Sequence, residues 1–330
     1  MTAMVKPVFM FGMDRSGTTL LSMVVGAHPQ IGVPHATANM WFQFADRLEK
    51  DFNDLQTETD LIALVDAVLA HERVGFWNTD LDRCAIQGNA RIGDFGSVVA
   101  ATHLAYAQAH GKPYWANMDI GTLEEMHRVN RWIPDARFLH IIRDGRDVAL
   151  SHQTMPYGAG NIAECAEAWV SRLSTNLRMG DILGPDRYLA IRYEDLVLQP
   201  QETLSRICTF CGLDFDPEML EFGKTVENRV PKEKMWLWPG LDGPLQASKV
   251  DRWRREMSQN QRIVFEMTAG PLLRELGYEA YQNPPKKLMA YGLELLYFLG
   301  RGGRWKRLLE KFGVKRESQL ERNSKVKEST

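Results

Sequence analysis

Phe9-Met10-Phe11-Gly12-Met13-Asp14-Arg15-Ser16-Gly17-Thr18-Thr19-Leu20-Leu21 reads as an apolar strand, a glycine-containing turn and the first turn of a helix. A strand that turns tightly into a helix aims backbone N–H groups and the positive end of the helix at one point, which suits a phosphate or a sulfate. Gly12 to Thr19 has the G-x-x-x-x-G-x-T spacing of a phosphate loop. The lysine that a nucleoside triphosphatase carries after the second glycine is Thr18 here, and the cation comes earlier, at Arg15. That displacement argues against a kinase or an ATPase.

Outward from the loop, Val8 to Met13, Phe138 to Ile142 and Tyr188 to Ile191 are short apolar runs bounded by Pro, Asp, Arg or Gly, with Tyr114 to Met118 as a weaker fourth. Such runs predict buried strands of a parallel sheet. Helical periodicity falls between them, over Thr18 to Gly26, Asp60 to His71, Ser97 to His110, Leu123 to Trp132, Asp147 to Thr154 and Ala163 to Asp181. Alternating strands and helices predict an α/β fold. Residues 36–112 read as a mostly helical insertion on the acceptor side, because about a hundred residues separate the first two strands, far more than a βαβ crossover needs. Two loops rich in Gly and Pro, Met155 to Asn161 and Val230 to Ser248 with Trp236 and Trp238, are expected to act as lids or as ordered surface loops. Residues 284–316 read as a basic amphipathic appendage that packs on the main domain or touches an anionic membrane, and 317–330 as a disordered tail.

A formal charge of −2 over 330 residues gives no whole-chain attraction to nucleic acid, so anion binding has to come from local arrangement. The strand at Val8 leaves no room for a signal peptide, and no apolar run spans a bilayer, so a cytoplasmic protein is expected. Four cysteines, Cys84, Cys165, Cys208 and Cys211, are too few and scattered for a disulfide framework, and the Cys208–Cys211 pair falls in a helical pattern that favours core packing over metal.

Arg15-Ser16-Gly17-Thr18-Thr19 resembles the 5′-phosphosulfate loop of sulfotransferases that use 3′-phosphoadenosine 5′-phosphosulfate (PAPS). The stretch from Ile133 to Ser151, which holds Phe138-Leu139-His140-Ile141-Ile142-Arg143-Asp144-Gly145-Arg146-Asp147, is similar to their second motif. There an arginine at the strand end and a serine eight residues on, here Arg143 and Ser151, bind the 3′-phosphate of the cofactor. The spacing is physically sensible, since Ser151 lies one helical turn from Asp147 and faces back toward the strand, and arginine grips phosphate bidentately. The plainer reading of Arg143 is an ion pair with Asp144 or Asp147. Ile191-Arg192-Tyr193-Glu194-Asp195-Leu196 and Ser248-Lys249-Val250-Asp251-Arg252-Trp253-Arg254 resemble two further segments, less specific, that imply cofactor contacts at Tyr193, Lys249, Arg252 and Trp253. The resemblance implies a P-loop NTPase-like three-layer fold, a central parallel sheet flanked by helices, with PAPS as sulfuryl donor and no metal.

In-line transfer needs a base near the acceptor oxygen and cations near the leaving phosphate. Many relatives carry a glutamate in a run like Val-Pro-x-Glu-Thr, whereas this chain reads Val33-Pro34-His35-Ala36-Thr37. His35 is then one candidate base, with a suitable ordinary pKa. Where relatives show Trp-x-x-Lys-Thr-Pro, this chain has Trp115-Ala116-Asn117-Met118-Asp119-Ile120, and Asp119 is the other candidate, if it does not cap a helix near Thr122. Arg15 would stabilise charge on the bridging oxygen. Because Ala36 and Met118 break the pattern, an inactive nucleotide-binding homologue is the competing reading, with a P-loop kinase behind it. Trp41, Phe42, Phe44, Phe52 and Trp77 either form core or stack on a sugar, and a carbohydrate or glycolipid hydroxyl is the expected acceptor.

Overall fold

The computed structural model describes residues 5–35, 37, 39–120, 123–154, 161–229 and 243–282. Five parallel strands form one sheet: β1 (Val8–Phe11), β2 (Ile31–Gly32), β3 (Tyr114–Ile120), β4 (Arg137–Ile142) and β5 (Tyr188–Arg192), in the order β2-β3-β1-β4-β5. β1 is the centre, flanked by β3 and β4, with Val8 opposite Ala116 on one side and Arg137 on the other.

Between β1 and β2 runs α1 (Thr18–Ala27). Six helices fill the gap between β2 and β3: α2 (Met40–Asp46), α3 (Leu48–Phe52), α4 (Glu58–Leu69), α5 (Glu72–Gly75), α6 (Arg83–Asn89) and α7 (Phe95–Ala109). Next come α8 (Leu123–Trp132), then α9 (Gly145–Gln153) and α10 (Ile162–Leu183) between β4 and β5. After β5 follow α11 (Tyr193–Leu198), α12 (Pro200–Cys211), α13 (Gly223–Arg229), α14 (Trp253–Glu256) and α15 (Gln259–Glu275).

Side chains alternate across a strand, and here both faces are apolar because both are covered. Val8 and Met10 of β1 join Leu139 and Ile141 of β4 against α1 and α12. Phe9 and Phe11 point the other way, with Phe138, onto residues of α7, α8 and α10. A second layer on that side, built from α9, α10 and α15 around Trp169 and Phe265, carries the ends of β4. This is the three-layer arrangement expected from the sequence.

Local signals explain the helix ends. Thr57 and Asp60 make a reciprocal capping box at the start of α4, and Ser258 with Gln261 does the same for α15. Pro200 opens α12 and Gly212, at φ 81°, closes it. Lys112 donates its ammonium to the carbonyls of Gly26, His28 and Ile31, at 2.8, 3.0 and 3.2 Å, tying the exit of α1 to the segment that leads into β3.

Several expectations need correction. β1 stops at Phe11, not Met13, because Met13 already accepts the Ser16 N–H at 3.0 Å in the turn. β2 was not foreseen, since two residues carry no periodicity. The strand expected over Tyr114 to Met118 forms, runs on to Ile120 and lies beside the central strand. Asp119 lies inside β3; its side chain, Ala36 and Thr122 fall outside the described residues, and with them the choice between base and helix cap. Residues 155–160 and 230–242, which hold most of both expected lids with Trp236 and Trp238, also lie outside the described residues, as do the 284–316 appendage and the 317–330 tail. Among the described residues no helix is long and apolar enough to cross a membrane.

Candidate active site

The carboxyl ends of β1, β3 and β4 converge where the chain order along the sheet reverses, the place where open α/β sheets bind ligands. The turn after β1 supplies the floor. Arg15 sits at φ 71° and Gly17 at φ 98°, so successive N–H groups can point inward while Thr18 and Thr19 begin α1. A Cβ on Gly17 would lie 2.5 Å from the Tyr193 ring, and one on Gly12 would lie 2.6 Å from the Ile141 carbonyl oxygen, so both positions demand glycine for close approach. Ser16 is fully buried, and its hydroxyl has no partner among the described residues. A buried hydroxyl of this kind costs stability unless something fills its hydrogen-bonding capacity, and an anion on the loop would do so.

Arg143 leaves the end of β4 and is buried. Its guanidinium donates to the Arg15 carbonyl at 3.1 Å and to the Lys249 carbonyl at 2.6 Å, and lies 4.3 Å from the Tyr193 ring centroid. Its Nε has no partner among the described residues. Of the two ion-pair partners expected for Arg143, Asp147 stands 3.7 Å away, while Asp144 is taken by Arg146. Ser151, on the next turn of α9 but one, accepts from Arg15 Nε at 2.9 Å, so the loop arginine and the serine of the second motif meet.

Arg15, Arg143, Lys249 and Arg252 form a cationic cluster. Burial, and then the charges of Arg143, Arg252 and Arg15, hold the Lys249 ammonium below its ordinary pKa. A lysine whose protonation is weakened by neighbouring cations, beside a buried hydroxyl with no partner among the described residues, makes a candidate anion site. A phosphosulfate nucleotide fits that donor set. Arg252 is also held from outside by Glu256, at 2.6 and 3.0 Å.

The Trp253 ring is buried in the core, with the Arg146 guanidinium 3.6 Å from the ring centroid, and its backbone N–H donates to Asp147 at 2.8 Å. Tyr193 bridges Gly17 and Arg143. Its neighbour Glu194 accepts from the Asp144 N–H at 2.9 Å and from the Tyr278 hydroxyl at 2.9 Å, which fixes the turn that presents Arg143. Burial raises the Glu194 pKa. Arg146 pairs with Asp144 and Glu266 in the same buried network. Sequence reading missed Glu266 and Tyr278, which lie over a hundred and over eighty residues from their partners and carry no local signal.

On the opposite side, His35 is buried just after β2. Thr37 donates its hydroxyl to the Met118 carbonyl at 2.9 Å, which brings the His35 segment to the end of β3 where Asp119 stands. Both candidate bases therefore come to one corner of the sheet. His28 closes α1, with its ring meeting the Gln30 N–H and the Asp214 carbonyl. His140 is buried between Phe11 and Tyr188, and His152 contacts the Asp14 carbonyl. The four thiols are free; Cys165, Cys208 and Cys211 are buried, and burial pushes Cys208 up to about 11 and Cys211 up to about 12.

The model of the Sulfotransferase family matches residues 7–217. The protein-tyrosine sulfotransferase of Drosophila melanogaster is 25% identical over 289 residues, 84% of this chain and 52% of that protein. Protein-tyrosine sulfotransferase 2 of Gallus gallus is 23% identical over 290 residues, 84% of this chain and 71% of that protein. The chain thus spans about half the length of the fly relative. Of solved structures, the sulfotransferase domain from the Synechococcus PCC 7002 olefin synthase aligns with a TM-score of 0.55 at 18% identity, over 85% of this chain and 99% of that one. The sulfotransferase domain from the curacin biosynthetic pathway aligns at 0.54 and 16%, over 84% and 99%. At those identities the likeness is one of fold. The family match takes in β1 to β5 with the phosphate loop and the Arg143 motif inside it, and the chain belongs to the sulfotransferase family.

Proposed function

We propose that the chain transfers the sulfuryl group of PAPS to a hydroxyl by in-line displacement, and that the acceptor is the phenol of a tyrosine in a peptide. The observation that carries the first part is the meeting of Arg15, Arg143, Ser151 and Lys249 at the ends of β1 and β4. When bound, the donor supplies an activated sulfuryl group and a phosphate leaving group. The loop N–H groups with Arg15 would hold the 5′-phosphosulfate, and Arg15 would offset charge on the bridging oxygen, a contribution of about 3 kcal/mol for such preorganised donors. Arg143, Ser151, Lys249 and Arg252 would grip the 3′-phosphate, and the Tyr193 ring would brace Arg143. His35 or Asp119 would take the acceptor proton.

The tyrosine acceptor is supported by the names of the relatives, which are protein-tyrosine sulfotransferases. The carbohydrate or glycolipid expectation has no such support. Its aromatic candidates, Trp41, Phe42, Phe44, Phe52 and Trp77, are all buried against one another or against the sheet, with no face left for a sugar.

The test is calorimetric titration, without metal, with 3′-phosphoadenosine 5′-phosphate and with adenosine 5′-phosphate, on the wild type and on Arg143→Ala. Charged hydrogen bonds of about 1.5–3 kcal/mol predict a loss of roughly tenfold to hundredfold in the variant, for the 3′-phosphorylated nucleotide alone. Equal, weak binding of both nucleotides, indifferent to the substitution, would overturn the reading. Sulfuryl transfer from PAPS to a tyrosine peptide, and not to the matching phenylalanine peptide, tests the acceptor; tight binding with no transfer to any hydroxyl would make the chain a nucleotide-binding homologue.

A further inference from the structure

Asp147 is the least expected group beside the cationic cluster. It is a carboxylate in the first turn of α9, 0% exposed, placed where a phosphate would be repelled by it. Burial raises its pKa, partly countered by Arg143. A buried charge in such a place needs a geometric reason, because removing it from water is costly unless its partners repay that cost.

The geometry gives one. One oxygen, Oδ1, accepts from the Trp253 backbone N–H at 2.8 Å. The other, Oδ2, has no hydrogen-bond partner among the described residues and stands 3.7 Å from Arg143 Nη2. Arg143 itself donates to the Lys249 carbonyl at 2.6 Å. A single carboxylate therefore reaches both ends of residues 249–253, directly at Trp253 and through Arg143 at Lys249. Between those ends lie Asp251, at φ 55°, and Arg252. The charged and titratable groups that face Asp147 are Arg143 and Asp144 at the start of its own helix, Asp251 and Arg252 from the 249–253 stretch, and Tyr193 from α11.

We propose that Asp147 is a positioning residue which couples the grip of Arg143 on the 3′-phosphate to the seating of residues 249–253 over the site. Its charge sets the orientation of the guanidinium, and its hydrogen bond holds the stretch that carries Lys249 and Arg252. The two halves of the phosphate site, one on β4 and one far along the chain, then form together. This rests on the nucleotide reading above.

Two measurements on the full chain test it: the ratio of dissociation constants for adenosine 5′-phosphate and 3′-phosphoadenosine 5′-phosphate, and hydrogen exchange at the Trp253 amide with and without the latter. In the wild type the ratio is large and the nucleotide slows exchange at Trp253. Asp147→Ala lowers the ratio by about tenfold, as expected for losing one charge-assisted contact, and the nucleotide no longer protects Trp253. Asp147→Asn keeps an oxygen for the Trp253 N–H but not the charge beside Arg143, so it restores that protection and leaves the ratio between the Ala and wild-type values. A merely structural role would weaken both nucleotides equally and leave the ratio alone. An unchanged ratio in Asp147→Ala overturns the proposal, and so does an Asn variant no better than Ala. Should Asp147→Ala fail to fold, Asp147→Asn decides alone: Trp253 unprotected at a wild-type ratio overturns the coupling. A wild type that does not discriminate the 3′-phosphate removes the nucleotide reading itself, and this inference with it.

Discussion

The two sides of the sheet corner are built from opposite materials. On the β1–β4 side stand Arg15, Arg143, Lys249 and Arg252, held by backbone carbonyls, a serine and a buried carboxylate. On the β2–β3 side, helices α2 to α7 form an aromatic core in which Trp41, Trp77, Trp115 and Tyr106 surround His103 or one another at ring distances near 5 to 6 Å. A small cavity of about 10 Å³ lined by Phe9, Trp41, Phe42, Val99, Asn117, Val129 and Trp132 remains where this core meets the sheet. The lesson is a division of labour. Directional polar contacts fix the β1–β4 side, and non-directional packing fixes the β2–β3 side.

If that division is real, injuries to the two sides separate. The largest effect belongs to Trp77→Ala, which empties a fully buried site and costs about 3–5 kcal/mol of stability. Chemical denaturation measures the loss, while nucleotide affinity at low temperature stays as in the wild type; a matching loss of affinity would break the separation. Next is Gly17→Ala. A Cβ there meets the Tyr193 ring, at a φ that side chains rarely adopt, for an overpacking cost of about 1–3 kcal/mol. We expect weakened nucleotide binding by calorimetry with a smaller change in melting temperature than Trp77→Ala gives.

The third effect is a pH slope. Burial lowers His103 to about 4 and His140 to about 3, from 6.5. Both are depressed bases, neutral in the fold, so their contribution is complete above pH 6.5 and is lost as pH falls toward those folded values. Each adds a slope of at most about 1.4 kcal/mol per pH unit in that window. Denaturation midpoints between pH 7 and 4.5 should fall, and the fall should be shallower in His140→Asn; an identical slope would mean that His140 is not charging on unfolding.

Much of the donor side was legible before any coordinates. The strand-turn-helix at Phe9 to Leu21 and the Arg143–Ser151 spacing are local patterns, dictated by backbone geometry over a few residues, and the structure joins them through the Arg15–Ser151 hydrogen bond. Helices α1, α4, α7, α8, α9 and α10 were legible for the same reason, because 3.6-residue periodicity acts within a turn or two, whereas α6 and α15 were not singled out. The two-residue β2 was not, being too short to carry a period.

What the sequence by itself determined, then, is the α/β class, the strand-turn-helix loop after β1 and the arginine that faces it. Only the tertiary structure decided that β3 lies beside the central strand, that the Trp253 ring belongs to the core while its N–H meets Asp147, and that Glu194, Tyr278, Arg146 and Glu266 lock the turn that presents Arg143. The physical reason is range. Turns and helices are selected by neighbours along the chain, whereas a buried ion pair or a backbone donor turned toward a carboxylate is selected by groups that meet only when the sheet and its helices have closed around them.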